Sequence, residues 1–262
     1  MDPVADAAGL LNRIVDTKKE EVKNIPDFEL PPVDLSRGGS FKKALTRKSG
    51  MPIKVIAECK KASPSMGLLK ADYNPLIISS EYARLGASAI SVLTDRQYFQ
   101  GDTSHLEPVK KSGIPVLRKD FIISPAQIFE SKALLADAIL LIVRILDDIQ
   151  LRDFLEIAKS VGMDALVEIH NEAEMERALK ADTEIFGINH RDLDTLKMDL
   201  SLTEKLAPKI RAGKKDSVIV AESGVESRQG RLRVDAHADA VLIGTALMKS
   251  SDVSAAWNEI FS

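Results

Sequence analysis

A single thiol, that of Cys59, is all the sequence offers for disulfide or thiolate chemistry. An intrachain disulfide and every multi-thiolate zinc pattern are thereby excluded, and a reducing compartment fits. Cys59 alternates with Glu58 and Lys60, so packing is expected of it rather than reactivity. Neither sign of charge prevails: 36 Lys and Arg oppose 39 Asp and Glu, for a net charge of -3. No general attraction to nucleic acid or an anionic membrane follows, and the expected partner is a small molecule. Long apolar runs are missing too. The most apolar window, ALLADAILLIVRIL, is interrupted by Asp137 and Arg144 and falls short of the ~20 residues of a membrane span. The start, MDPVADAAGLLNRIVDTKKEEV, has early acidic residues and no apolar leader core, so a cytoplasmic protein is expected.

Several signatures are absent as well. There is no G-x-G-x-x-G after the first apolar run, no P-loop, no G-x-S-x-G elbow and no Cys-His pair. His105, His170, His190 and His237 are scattered without a matching carboxylate pattern, so neither a metal site nor a cofactor is expected.

What is present is 45% hydrophobic and 29% charged over 262 residues, enough for a sizeable core. Short β-branched runs recur from Ile53 onward: IKVIAE, AISVLT, IPVLRK, AILLIV, DALVEI, EIFGIN, SVIVAE and AVLIG. Each is too short for an ordinary helix and nearly continuous in apolar character, as strands covered on both faces are. Between them lie helix-like segments such as NPLIISSEYARLGA, SPAQIFESKALLA, LRDFLEIAKSVGM and NEAEMERALKA. Ser or Asn stands at several starts, and Gly86 and Gly162 stand at stops. Eight such cycles predict a (β/α)8 TIM barrel with an N-terminal helical extension. A doubly wound open sheet is the competitor, disfavoured by the missing glycine fingerprint and the regularity of the units.

One domain is expected, with residues 1–50 as the extension and 51–262 as the barrel. In the extension, Leu10, Leu11, Ile14, Val15 and Val22 predict one face of a helix whose other face carries Lys18, Lys19, Glu20 and Glu21. Pro31-Pro32 and Gly38-Gly39 break the chain, and SFKKAL predicts a short second helix capped by Ser40.

In a barrel the carboxyl ends of all strands converge on one face. Glu58 and Lys60 end the first run and Lys119, Glu168, Asn189 and Glu222 end four others, so they become neighbours. Opposite charges ~4 Å apart attract by roughly 4 kcal/mol at an effective dielectric near 20, enough to hold lysines protonated in a partly dry pocket. A protonated lysine facing a carboxylate equips a site for general acid-base chemistry. The turns after the last two strands, Glu222 to Gly224 and Ile243 to Met248, contain glycine beside Ser223 and Thr245. In barrels these loops commonly present backbone N–H groups to a phosphate, so a phosphorylated substrate is expected. Turns that simply need glycine remain the alternative.

The motifs IAECKKASPSMG, SVLTDRQYFQG, PVLRKDFIISPAQIFES, DAILLI, LVEIH, GINHRDLDTL, AESGV and LIGTALM, in that order at successive strand ends, resemble the indole-3-glycerol-phosphate synthase family over nearly the whole chain. The resemblance implies ring closure of a carboxyphenylamino-deoxyribulose 5-phosphate with loss of carbon dioxide and water, without cofactor. It implies Lys119 as general acid, Lys60 as second cation, Glu168 in the loss of water, and Glu58 as the group that orients and pairs the lysines. It implies positioning by Asn189, Arg191, Glu222 and Ser223, and a phosphate cradle at Gly224, Gly244 and Thr245. Ser63, Phe99 and Phe121 match pocket-lining positions, SPSMG a mobile cover, and the first helix a closure over the aromatic end. Three features depart from the family pattern: His190 replaces a small polar residue, Gly230 falls inside the last expected helix, where glycine costs roughly 1 kcal/mol against alanine, and the usual glycine before the eighth strand is missing.

A phosphosugar isomerase sharing the phosphate turns is a second reading, weakened because such enzymes usually pair cysteine or aspartate bases with aspartate acids. A silent phosphosugar-binding protein is a third, opposed by the joint presence of Lys60, Lys119 and Glu168. A monomer is expected, with a homo-oligomer left open.

Overall fold

The β-branched runs become eight parallel strands: β1 (Lys54–Cys59), β2 (Ala89–Leu93), β3 (Val116–Lys119), β4 (Ala138–Ile142), β5 (Asp164–Ile169), β6 (Ile185–Asn189), β7 (Val218–Glu222) and β8 (Ala240–Ile243). Each pairs with its neighbours in chain order, and β8 returns to β1 in register from Lys54↔Ala240 to Ala57↔Ile243. The sheet is therefore a closed barrel, and the open-sheet alternative is set aside. The computed structural model describes residues 9–28, 38–192 and 195–262; the Pro31-Pro32 break lies outside them. No helix among these residues is long and apolar enough to cross a membrane.

The helices are α1 (Leu10–Glu21), α2 (Ser40–Leu45), α3 (Pro75–Arg84), α4 (Arg96–Phe99), α5 (Leu106–Lys110), α6 (Pro125–Ala133), α7 (Asp148–Ser160), α8 (Glu172–Lys180), α9 (Leu202–Gly213), α10 (Arg228–Asp235), α11 (Thr245–Lys249) and α12 (Val253–Phe261). Asn74, Ser124 and Asn171 cap α3, α6 and α8 by accepting from the N–H groups of Ile77, Ala126 and Glu174. Helix α7 starts ahead of its apolar run because Asp147 caps it, accepting from Gln150 N–H at 2.8 Å. Helix α10 forms with Gly230 in its first turn, where the glycine N–H donates to the Ser227 cap.

Successive strand residues point to opposite faces, and both faces of this sheet are buried. Val55, Ala57 and Cys59 join the outer core under the helices, while Ile56 joins Leu117, Leu140, Leu166, Val220 and Leu242 inside the barrel. Stepping two residues along from these inner positions reaches Glu58, Lys119, Glu168 and Glu222. Strand parity thus aims the charged residues into the mouth. Cys59 is fully buried on the outer face, and burial pushes its thiol pKa up.

Helix α2 closes the opposite end, with Phe41 and Leu45 completely buried in the inner core. Ser40 is not its cap: Gly39 holds that position, and Ser40 is the first helical residue. The free N–H groups are met from outside the helix, since Phe41 N and Lys42 N both donate to Asp164 Oδ2 at 3.0 Å. A carboxylate at the start of β5 replaces the local cap that the sequence pattern suggested.

Candidate active site

Lys119 Nζ, at the end of β3, lies 3.4 Å from Glu222 Oε2 on β7 and 3.8 Å from both Glu58 Oε2 on β1 and Glu168 Oε2 on β5. Lys60 Nζ lies 2.9 Å from the other oxygen of Glu58. Glu58 thus bridges the two ammonium groups, and it also accepts from Ser91 Oγ at 3.3 Å. The cross-strand register explains the convergence: Leu93 pairs with Lys119, Glu58 with Ser91, and Asn189 with Glu222.

Burial opposes the charge on Lys119, but Glu222, Glu58 and Glu168 outweigh it and hold the pKa above the ordinary lysine value. Burial likewise penalises Glu58, yet Lys60 and Lys119 keep its pKa low. The other two carboxyls part company. Burial raises the pKa of Glu222, and the repulsion of Glu168 and Glu58 adds to it against the pull of Lys119. Glu168 is buried equally, but His170, Lys119 and Asn189 bring its pKa down.

Glu58, Lys60, Ser63, Phe99, Lys119, Phe121, Glu168, Asn189, Arg191, Glu222, Ser223, Gly224, Gly244 and Thr245 all line one cavity at the carboxyl ends of the strands. Its poles differ. At one pole, Leu10, Leu11 and Ile14 of α1 face Phe99 and Phe121, whose ring centroids are 6.2 Å apart. Residues Ala62–Ser63 and Gly67–Leu68 form a small antiparallel hairpin that brings Pro64, Ser65 and Met66 to the rim. At the other pole, Ser223 and Gly224 both take left-handed backbone conformations, with φ of 65° and 74°. A Cβ on Gly224 would also stand 2.4 Å from Met198 Cε. His190 does not enter the cavity wall. Its Nδ1 lies 2.8 Å from the Ser223 carbonyl and its Nε2 2.7 Å from Thr203 Oγ1, so it braces the turn from behind.

Helix α1 is attached by a residue assigned above to its exposed face. Lys18 is buried, with Nζ 2.9 Å from Asp95 Oδ2, 3.0 Å from Asp120 Oδ1 and 2.7 Å from Glu21 Oε2. The spacing of Leu11, Ile14 and Lys18 is i, i+3, i+7, so Lys18 belongs to the apolar face. Asp95 in turn caps α4, accepting from the N–H groups of Tyr98 and Phe99. Asp120 binds Arg118 and Thr94.

Three further residues stand inside the quoted motifs but received no role from them. Ser91 lies inside an apolar run and carries no signal. Gly187 leaves space for Glu222: a Cβ there would sit 2.0 Å from Glu222 Oε1. His170 follows Glu168 by two positions, the same parity, and that spacing was the available clue.

The family model described as indole-3-glycerol phosphate synthase matches residues 11–260. The chain belongs to the indole-3-glycerol phosphate synthase family. Relatives bearing that description include one from Leptospira interrogans, 44% identical over 96% of this chain and 97% of the relative. Another, from Thermoanaerobacter pseudethanolicus, is 44% identical over 93% of this chain and 94% of its own. Among solved structures, thiamine phosphate pyrophosphorylase from Pyrococcus furiosus superposes with a TM-score of 0.58 at 16% identity, covering 79% of this chain and 93% of that one. That likeness concerns the fold alone. The synthase family membership spans both the barrel and α1, so the cavity wall built by Leu11 and Ile14 falls within the matched region.

Proposed function

We propose that this chain closes the indole ring of 1-(2-carboxyphenylamino)-1-deoxyribulose 5-phosphate, releasing carbon dioxide and water to leave indole-3-glycerol phosphate. The observation that carries this reading is Lys119, an ammonium loosely ringed by three carboxylates between an aromatic pole and a glycine-turn pole. The aromatic carbon bearing the carboxylate attacks the ketone carbon, and Lys119 gives a proton to the oxygen as negative charge develops there. Lys60, oriented by Glu58, holds the substrate carboxylate until that bond breaks. Its electron pair then restores the aromatic ring and carbon dioxide leaves. Loss of the new hydroxyl as water, with the hydrogen on the carbon beside nitrogen, completes the indole; Glu168 assists this step.

In the same reading Asn189, Arg191, Glu222 and Ser223 position the intermediate. Backbone groups of Gly224, Gly244 and Thr245 take the phosphate. Ser63, Phe99 and Phe121 enclose the ring, and the hairpin at Ser63–Gly67 acts as a mobile cover. The extension and barrel act as one domain, because α1 walls the cavity. A monomer suffices, since every group named comes from one chain, and the lone buried thiol of Cys59 suits the cytoplasm.

The test is to mix protein and substrate without added metal or nucleotide. Indole fluorescence should rise with carbon dioxide in equal amount. A phosphosugar isomerase would convert its substrate with no gas released, and the absence of both signals in every buffer refutes the proposal.

A further inference from the structure

Glu168 and Glu222 face the same ammonium, yet their surroundings are unlike. Behind Glu168 stands His170, with Nε2 3.3 Å from Glu168 Oε1, placed as an ion pair rather than as a straight hydrogen bond. The other ring nitrogen, Nδ1, lies 3.0 Å from Glu174 Oε2, and the His170 backbone N–H donates to that same oxygen at 2.7 Å. Glu174 is anchored in its turn: Arg144 Nε donates to its Oε1 at 3.0 Å and Asn171 Nδ2 at 2.9 Å. Arg144 also reaches Asp192 at 3.4 Å. A neutral imidazole has one N–H and no charge to offer, so it can serve only Glu174, whereas the imidazolium donates to Glu174 and sets a cation beside Glu168. Glu222 has no such support. Neither of its buried carboxyl oxygens accepts a hydrogen bond among the described residues, and Lys119 at 3.4 Å is its nearest cation there.

We propose that His170 is a positioning residue that sets the charges of the two glutamates facing Lys119: clamped between Glu168 and Glu174, its imidazolium keeps Glu168 an anion and leaves Glu222 as the carboxyl that carries the exchangeable proton. This deepens the synthase reading and rests on it for the consequence in catalysis. Burial works against the charge on His170, but Glu168 and Glu174 raise its pKa to about 9, so both ring nitrogens hold protons at neutral pH. A carboxyl whose pKa lies near the working pH exchanges protons most effectively, and the raised pKa of Glu222 meets that need better than the lowered one of Glu168. In the loss of water the hydroxyl leaves with a proton from Glu222, and the remaining positive charge spreads onto the ring nitrogen, where the fixed anion of Glu168 stabilises it. The hydrogen on the neighbouring carbon then departs as a proton to the Glu222 carboxylate, its electron pair closing the double bond. Glu222 ends as it began, and Glu168 never changes charge.

Two measurements test this. Nitrogen-15 NMR of the free protein, with His170 assigned by its loss in His170→Gln, should show both ring nitrogens protonated at pH 7 and one proton lost near pH 9. A neutral ring at pH 7 overturns the proposal, and this arm needs no substrate, so it stands apart from any failure of the synthase activity. The second arm is the pH profile of kcat. Once the imidazolium is gone, Glu168 takes up a proton at low pH, so His170→Gln should lose at least about tenfold at pH 6, recover most of it by pH 8.5, and keep KM within about twofold. A kcat lowered by one constant factor at every pH marks a merely structural histidine and overturns the proposal.

Discussion

Lys18 and Lys119 are both buried ammonium groups among three carboxylates, and the distances separate them. The carboxylates of Glu21, Asp95 and Asp120 approach Lys18 to between 2.7 and 3.0 Å, whereas those of Glu222, Glu58 and Glu168 stand 3.4 to 3.8 Å from Lys119. The side chain of Lys18 is 3% exposed and that of Lys119 is 15% exposed, toward the cavity. In the first cluster the ammonium is in close contact with all three partners, and the result is a clasp holding α1 to the ends of β2 and β3. In the second the same charges are held just out of full contact, so a ligand's oxygen has a donor to claim. Charge content alone does not tell the two lysines apart; unfilled hydrogen-bonding capacity beside a cavity does.

Replacing each lysine should separate fold from function. Lys18→Met leaves Asp95 and Asp120 buried without their shared cation, and losing one partner of a buried pair costs ~3–5 kcal/mol. Urea unfolding should report a loss in that range, and an unchanged midpoint would dissolve the distinction between the clusters. Lys119→Ala should lower turnover by at least ~10²-fold while moving the unfolding midpoint far less, because Glu222 can neutralise itself by holding a proton. A near-normal rate would transfer the acid role elsewhere.

The smallest expected effect concerns pH. The folded-state pKa of Glu222 is raised, so its contribution to stability is fully present below the ordinary carboxylate range and is lost as pH rises through the folded pKa. Glu222→Gln removes that loss. Its Tm at pH 8 should exceed that of the parent by roughly 2–4 °C, equivalent to about 1 kcal/mol at this chain length, with no gain at pH 4. Asp120 in the Lys18 cluster behaves oppositely. Burial alone would raise its pKa, but Arg118 and Lys18 bring it down to about 2, so its contribution is present above the ordinary aspartate range and fades as pH falls toward 2. Equal pH responses for Asp120→Asn and Glu222→Gln would erase the contrast.

The barrel was legible because each strand is covered on both faces and announces itself as a nearly unbroken apolar run; the polar residues ending five of those runs then marked the mouth. What escaped the sequence depends on partners remote along the chain. Ser40 looked like a cap, but a cap can be supplied from elsewhere, and here Asp164 supplies it. Lys18 looked solvated because lysines usually are; its i+7 spacing from Leu11 was visible, but Asp95 and Asp120 as its destination were not. Gly187 is silent in sequence because its value lies in the space that Glu222 fills. The residues gathered at the cavity came from local motifs, whereas the bracing behind them, at His170, Ser91 and His190, came only from the folded geometry.

With Phe41 and Leu45 stoppering the far end beneath a filled interior, the barrel is a blind well. Ligands therefore enter and leave at the carboxyl-end mouth, where the Ala62–Leu68 hairpin forms part of the rim. Entry and exit share that end of the barrel, so a molecule seated there holds up the next.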